Sequence, residues 1–275
     1  MRVQRFATLD DIAASHPTIE EREEYELPVS EGMVMFAGVD YEAILRAAAA
    51  EADVIVWDGG NNDLPFVRPD VMVTVLDALR PGHERGWHPG EVNLRLADVV
   101  VVNKIDAAAP SDIGVLLDNV RRLAPTAVVV QAASPVVLAD GPSIAGGRVL
   151  VVEDGPTITH GGMPFGAGTV AACAAGAAEL VDPRPYAEGR SPTPSSGTAH
   201  RPGAAGDGLR GGPAVRSRSH DRRGALRCGG DRYADRPHRV IALDRPVRHA
   251  SYSLREVSRP DLAEVLAPHV RAWRP

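Results

Sequence analysis

Short, continuous runs of apolar, mostly β-branched residues recur along the first half of this chain and constrain its fold more than any other feature. The runs are VIVW (54–57), VMVTVLD (71–77), DVVVV (98–102), AVVV (127–130) and RVLVV (148–152). Runs without polar alternation are typical of strands buried on both faces. Segment 39–52, with Asp40 as N-cap, reads as a helix that precedes the first run, and segment 111–124, with Ser111 as N-cap, as a helix between two later runs. This order predicts an α/β fold with a mostly parallel sheet flanked by helices.

The loops after these strands carry the candidate functional residues, because ligands of parallel sheets bind at the carboxyl ends of the strands. NKID follows DVVVV directly. Asn103 can hydrogen-bond a purine edge, the stem of Lys104 can pack along the base, and Asp106 can accept two hydrogen bonds from guanine. Ser134 follows the next strand, where a backbone contact to the base is expected. A polar turn leading into a helix is the alternative interpretation of this motif.

A second candidate loop, DGG, follows VIVW and begins with Asp58. A carboxylate at the end of a buried strand suits Mg²⁺ beside a phosphate. A tight turn that needs the φ freedom of glycine is the alternative.

Two further loops, RPGHE and THGGMPFGAG, indicate anion binding. Arg80 can bind a phosphate or carboxylate with two donors. His83 and His160 can donate to phosphate or transfer protons, although single loop histidines are more often polar surface. Gly161 and Gly162 precede a predicted helix, and successive glycine amides there form a positive concavity.

Several classes of protein are disfavoured by composition. Lys104 is the only lysine, so the chain holds no standard P-loop lysine. Cys173 and Cys228 lack CxxC spacing, so neither a disulfide framework nor a zinc site is indicated. No apolar run is long enough to span a bilayer and the first residues lack a signal-peptide pattern. We therefore expect a cytoplasmic protein without a membrane partner.

The loops together resemble those of the cyclic 2,3-diphosphoglycerate synthetase family. The resemblance rests on QRFATLDD, TIEEREEYE, ADVIVWDGGNND, LRPGHE, HPGEVNLRLADVVVVNKID, AASPV, VLVVEDGPTITHGGM and GAAELVDPRPYAEG. It covers residues 3–189 and resumes at residue 239. It implies a P-loop NTPase-like core and an enzyme that uses ATP and Mg²⁺ to cyclise 2,3-bisphosphoglycerate through an intramolecular phosphoanhydride.

The resemblance also assigns roles to individual residues. It implies that Arg80, His83, His160 and Arg184 surround the bisphosphate, that Asn103, Lys104 and Asp106 face the base, and that Asp58 lies near the metal. The candidate catalytic residues are Arg80, His83 and His160, and the candidate substrate-binding residues are Gly161, Gly162 and Arg184. Ser134 is added to the base-binding set. NKID favours guanine whereas the family activity uses ATP, so the choice between ATP and GTP stays open, as does a homo-oligomer. The alternatives are a GTPase or guanine-nucleotide-binding protein of unknown substrate, and a noncatalytic binding protein.

The chain departs from the family pattern at its start. Family members are longer there and carry a strand and P-loop before the position that matches Val3. We therefore expect an incomplete α/β domain over residues 1–189, completed by a strand and helix within 240–275, that lacks the P-loop strand. As written, the chain should not produce ADP and a cyclic product.

A basic segment, residues 190–239, is the second departure. It holds 11 arginines and four aspartates, a net charge of +7 against −6 for the whole chain, which leaves −13 for the remainder. Among Val, Ile, Leu, Met and Phe it contains only Leu209, Val215 and Leu226, so it should be mostly disordered. A basic linker that binds nucleic acid is the less favoured alternative, because Tyr233 is its only aromatic residue.

We predict that the basic segment is translated out of frame. Back-translation of TAHRPGAAGDGL and CGGDRYADRPHR, read one base later, permits the family-like strings PHIGPVLPAMGY and VVVIGTPIDLT. The frame then rejoins at VIALDRPVRHASYSLREV, whose partner strand we expect to be lost. Resequencing the gene from upstream of Met1 through Arg239 tests this prediction, and confirmed reads without those codons would contradict it.

Overall fold

The computed structural model describes residues 2–60, 63–153, 165–182, 204–205, 225–228 and 246–273. The chain divides into two compact units, and each is described by itself. Unit 1 comprises Met1–His16, Pro28–Pro135 and Leu254–Pro275, and unit 2 comprises Pro17–Leu27 and Val136–Ser253.

The described elements alternate between helix and strand through much of the chain. The helices are α1 (Leu9–Ala14), α2 (Ile19–Ser30), α3 (Tyr41–Ala49), α4 (His83–Gly86), α5 (Gly90–Leu96), α6 (Pro110–Leu123), α7 (Ala167–Ala174) and α8 (Leu262–Trp273). The strands are β1 (Gln4–Phe6), β2 (Met35–Ala37), β3 (Val73–Asp77), β4 (Val99–Asn103), β5 (Val128–Ala133), β6 (Val136–Leu138), β7 (Arg148–Glu153), β8 (Glu179–Leu180), β9 (Ala204–Ala205), β10 (Ala225–Cys228), β11 (Val247–Tyr252) and β12 (Arg255–Glu256). No helix among the described residues is long and apolar enough to cross a membrane.

The main sheet of unit 1 has the strand order β12–β5–β4–β3. Strands β3, β4 and β5 are parallel, with Val73 opposite Val99 and Val99 opposite Val128, whereas β12 is antiparallel to β5. The expected α/β fold with a parallel sheet is confirmed here.

Strand β4 is buried on both faces, which explains its uninterrupted apolar run. Val100 and Val102 belong to one core with Leu76, Leu94 and Leu116, among other residues. Burial of each such side chain stabilises the fold by about 1.5–3 kcal/mol.

The opposite face of β4 has its own core. Val99 and Val101 pack there with Val130 and Ala132, and Leu262 and Val265 of α8 pack against this cluster. Helices therefore cover both faces of the sheet at β4.

The predicted N-caps have different outcomes. Asp40 caps α3 by accepting a hydrogen bond from the Ala43 N–H at 3.1 Å. A hydrogen bond from Arg2, followed by this backbone bond, lowers the pKa of Asp40. The prediction for Ser111 is wrong, since Ala109 occupies the N-cap position of α6. Pro110 fixes φ at a helical value and suits the first helical position, so the N-cap lies two residues before the predicted one.

The predicted strand VIVW is absent, and this expectation is wrong. Residues 54–57 form no strand, and the exposed fractions are 43% for Val54 and 81% for Val56. A fully apolar strand is stable only with ladder partners on its edges and cover on both faces. Among the described strands, β3 pairs with β4 alone, and nothing described pairs with VIVW.

The main sheet of unit 2 has the order β6–β11–β10–β7–β8, with β9 also paired to β7. Strand β10 lies within the basic segment and pairs in parallel with both β7 and β11. The expectation that the C-terminal strand lacks a partner is therefore wrong, because Ala225–Cys228 occupies the neighbouring position. Apart from β9 and β10, the basic segment lies outside the described residues.

A buried glutamate joins strand β7 to helix α7 in unit 2. Glu153, 2% exposed, ends β7 and accepts hydrogen bonds from the backbone N–H groups of Gly166, Gly168 and Thr169 at 3.1, 3.2 and 2.8 Å. The Thr169 hydroxyl donates to the same carboxylate at 2.8 Å. Because the first N–H groups of a helix lack partners within it, this carboxylate satisfies donors that burial would otherwise penalise.

We predict that Glu153→Ala lowers the free energy of unfolding by about 2–4 kcal/mol, since several buried donors lose their acceptor. Urea unfolding followed by circular dichroism measures the change. The matched control is Glu179→Gln, which breaks an exposed pair with Arg148 in the same unit and should cost about 0.5 kcal/mol or less. Equal stability of the two variants would contradict the prediction.

Candidate functional site

The candidate site lies in unit 1, at the carboxyl ends of β3, β4 and β5. Asp77 ends β3 directly opposite Asn103, which ends β4. The Ala78 N–H donates to the Asn103 carbonyl at 3.0 Å, so the two loops leave the sheet side by side. This edge is where a parallel sheet presents its ligand-binding loops.

The NKID loop has a fixed and partly strained backbone. Lys104 has a φ of 61°, in the left-handed region that costs a non-glycine residue about 1–2 kcal/mol. The Lys104 N–H donates to Oδ1 of Asn103 at 2.8 Å, and the Ile105 N–H donates to the Ala132 carbonyl at 3.2 Å. The side chain of Asn103 therefore stabilises its own loop.

Asp106 connects the NKID loop to the loop after β5. Its Oδ1 accepts a hydrogen bond from the Ser134 N–H at 3.0 Å. The structure thus brings together Asn103, Lys104, Asp106 and Ser134, the four residues predicted to face a purine base. Their contact with a base stays a prediction.

Asp77 is a central residue of this edge that sequence reasoning missed. Its Oδ1 accepts the Leu79 N–H at 3.0 Å, and its Oδ2 lies 2.9 Å from Nζ of Lys104 and 3.3 Å from Nε of Arg80. One carboxylate therefore fixes its own turn and contacts two of the predicted site residues. The signal in the sequence was its place as the last residue of a buried strand, directly before the loop that carries Arg80.

The RPGHE loop is anchored by a second residue that sequence reasoning missed, Glu84. This side chain is 8% exposed and accepts the Gly82 N–H at 2.8 Å and a side-chain N–H of Asn119. Asn119, 4% exposed, in turn accepts a hydrogen bond from Arg122. Gly82 has a φ of 93°, which requires glycine at this turn.

His83 begins the short helix α4 on this anchored loop. Its backbone N–H donates to the Arg80 carbonyl at 3.1 Å, and its ring centroid lies 5.7 Å from that of Trp87. The chain thus holds Arg80 and His83 within one turn, and their roles toward a phosphorylated substrate stay predictions.

Asp58 is not brought to a strand end, because VIVW forms no strand. Within the described ranges, no group of three His, Cys, Asp or Glu side chains is placed to hold a metal ion. The described residues therefore supply no cage for Mg²⁺, and Asp58 as a ligand stays a prediction. His160, Gly161, Gly162 and Arg184 lie outside the described residues.

Comparison with known proteins gives one informative likeness. The chain is 58% identical over 187 residues to a protein named arginine synthetase ArcE from Thermococcus kodakarensis. The match covers 68% of this chain and 42% of the relative, so the chain spans less than half the length of that protein. No family model matches the chain. The likeness supports kinship with a synthetase.

We predict that the protein tolerates a swap of the acid group of Glu84 with the amide group of Asn119, but that changing either residue alone destabilises it. In Glu84→Gln or Asn119→Asp, two donors or two acceptors face each other, so each variant should lose about 1–3 kcal/mol of unfolding free energy. In the double variant, the introduced glutamine would accept from Gly82 and donate to the introduced aspartate, and that aspartate would still accept from Arg122. Urea unfolding of all four proteins should show that the double variant recovers at least about half of the summed loss. Simple additivity of the two losses would contradict this network.

Proposed function

We propose that the chain is part of a nucleoside-triphosphate-dependent synthetase and that its unit 1 binds the purine base. The observation that carries this proposal is the Asp106–Ser134 hydrogen bond, which joins the NKID loop to the loop after β5 at the carboxyl edge of a parallel sheet. In this arrangement the Ser134 N–H holds Oδ1 of Asp106, and Oδ2 is the acceptor that an N–H group of a guanine edge would reach. The likeness to a synthetase supports the same interpretation.

A synthetase of this kind transfers a phosphoryl group from the triphosphate to an oxygen of its substrate. Positioning and stabilisation of charge supply most of the catalysis in this class of reaction. On the protein side, Arg80 and Lys104 are the described cations at this edge that would bind anionic groups. Mg²⁺ would accompany the triphosphate and neutralise part of its charge.

Two substrates are candidates to accept the phosphoryl group. Arginine, the product named for the relative, is a guanidinium compound. Forming it from citrulline and ammonia removes the ureido oxygen, which leaves as phosphate after phosphorylation by the triphosphate. In the reaction of the cyclic 2,3-diphosphoglycerate synthetase family, one substrate phosphate would accept the γ-phosphoryl group and release ADP. The other substrate phosphate would then attack this activated phosphate and expel inorganic phosphate, which leaves the cyclic anhydride.

The alternative of a GTPase rests on NKID, because guanine offers two neighbouring N–H donors to a carboxylate. Competition between GTP and ATP for the same site shows which base the protein prefers, and so helps to distinguish a GTPase from an ATP-dependent synthetase. A guanine preference without any effect of citrulline or 2,3-bisphosphoglycerate on nucleotide hydrolysis would favour the GTPase.

We predict that the purified full chain binds a purine nucleotide and that Asp106→Asn changes its base preference. The asparagine keeps an acceptor for the Ser134 N–H but presents an N–H₂ group in place of an acceptor, so guanine affinity should fall about tenfold or more. Adenine affinity should change little. Equilibrium binding of labelled GTP and ATP measures both.

The matched control is Asp118→Asn, an exposed aspartate paired with Arg121 on α6, which should bind as the unaltered protein does. Absence of binding by either nucleotide, or unchanged guanine affinity in Asp106→Asn, would overturn the proposed base site. Incubation with ATP and either citrulline plus ammonium or 2,3-bisphosphoglycerate then tests turnover. We expect none, because Lys104 is the only lysine and already lies in NKID, so ADP together with arginine or the cyclic anhydride would overturn that expectation.

A further inference from the structure

One carboxylate, Asp77, contacts two cations that come from different strands. Arg80 lies in the loop after β3 and Lys104 in the loop after β4, and both reach Oδ2 of Asp77, at 3.3 and 2.9 Å. The other oxygen, Oδ1, accepts the Leu79 N–H at 3.0 Å, so the carboxylate is itself fixed against the turn. The side chains of Asp77, Arg80 and Lys104 form the Asp77 cluster.

The Asp77 cluster combines a surplus of positive charge with access from solvent. Two cations and one carboxylate carry a net charge of +1. The exposed fractions of the side chains are 20% for Arg80, 23% for Asp77 and 34% for Lys104. A ligand can therefore reach the cluster, and its charge favours an anion.

The cluster also has the features of a prepared site rather than a chance surface pair. Lysine and arginine side chains have many rotamers and lose this freedom when they bind a ligand. Nζ of Lys104 donates a hydrogen bond to Asp77, and Nε of Arg80 forms an ion pair with the same oxygen without hydrogen-bond geometry. These contacts restrict the lysine, and to a lesser degree the arginine, before a ligand arrives, which lowers the cost of binding. The left-handed backbone of Lys104, held by Asn103 and by the Ile105 N–H bond to Ala132, is a second constraint at the same place.

We infer that Asp77 is a positioning residue, which holds Lys104 and Arg80 as a cationic pair for one anionic group, a phosphate or a carboxylate. This inference rests on the proposed function in one respect: the anion belongs to the nucleotide or to the substrate of the same site. Asp77 does not contact the anion. It sets the separation and direction of the two side chains that do.

Asp77→Asn tests this inference because two explanations of the role of Asp77 predict opposite changes in anion affinity. The asparagine keeps an oxygen for the Leu79 N–H and removes the negative charge. If Asp77 only neutralised its neighbours, the more positive cluster would bind anions more tightly. A positioning role predicts weaker binding, by at least about fivefold, on the scale of one lost charge-assisted hydrogen bond. Calorimetric titration of the full chain with inorganic pyrophosphate measures the sign.

Two further variants separate positioning from a loss of folding. Asp77→Glu keeps the charge and should restore part of the affinity. Lys104→Met should weaken pyrophosphate binding in the unaltered protein but add little in Asp77→Asn, since the lysine is already misplaced there. Glu91→Gln is the matched control, because it breaks an exposed pair with Arg95 in unit 1 and should leave the affinity unchanged. Equal or tighter binding by Asp77→Asn, or full additivity with Lys104→Met, would overturn the inference.

Binding of matched nucleosides and nucleotides to Asp77→Asn and to the unaltered protein identifies the source of the anion. A loss in Asp77→Asn for ADP and GDP but not for adenosine and guanosine assigns the cluster to a nucleotide phosphate. A loss for 2,3-bisphosphoglycerate or citrulline, with nucleotides unaffected, assigns it to a substrate phosphate or carboxylate. Failure of the unaltered chain to bind any nucleoside or nucleotide counts against the proposed function alone, because the pyrophosphate titration reports on the cluster separately.

Discussion

Burial of strand β4 on both faces is the constraint on which unit 1 depends. Val100 and Val102 lie in one core and Val99 and Val101 in the other, so this strand cannot shift by one residue without exchanging its faces. This burial fixes the register of β4 with β3 and β5, and the register decides which residues lie together where the strands end. Asp77 and Asn103 are opposite each other because the ladder begins with Val73 opposite Val99. The chemistry of the edge is therefore positioned by apolar packing several residues away.

Short polar contacts then fix the loops that leave this edge. Asn103 supports the left-handed turn at Lys104, Asp106 accepts from Ser134, and Glu84 holds the RPGHE turn through Gly82. Each is a carboxylate or amide that satisfies a backbone N–H group close to the end of a strand. Such groups would otherwise be unpaired or bound to water. The same polar residue types that suggest a ligand site are thus used first to build the loops.

The sequence was sufficient for the parts of the fold that depend on local pattern. The β-branched runs at β3, β4, β5 and β7 and the Asp40 cap are where they were expected, because buried strands and helix caps leave a local signature. VIVW has the same signature but forms no strand, since a strand also needs neighbouring strands to pair with, and its local sequence does not specify them.

The candidate site was predictable only in part, for the same reason. NKID (103–106) and AASP (132–135) lie at the carboxyl ends of successive strands, and parallel pairing of β4 with β5 brings them together. Asp77 and Glu84 were missed because their roles depend on partners 27 and 35 residues away, Lys104 and Asn119. A carboxylate in a sequence does not reveal whether it will face a ligand, a cation or a backbone amide. Tertiary contacts decide that: the register of the strands does so for Asp77, and the packing of helix α6 does so for Glu84.

Lys104 shows how the scarcity of one residue type limits the possible chemistry. As the only lysine, it cannot serve both a base-binding loop and a phosphate-binding P-loop. Its contact with Asp77 places its ammonium group beside Arg80, at the carboxyl edge of the sheet. Any further positive charge near a phosphate in this chain must come from arginine, histidine or backbone amides. Arginine provides planar, two-pronged donors that fit phosphate and carboxylate alike, so an arginine beside Lys104 is compatible with either anion.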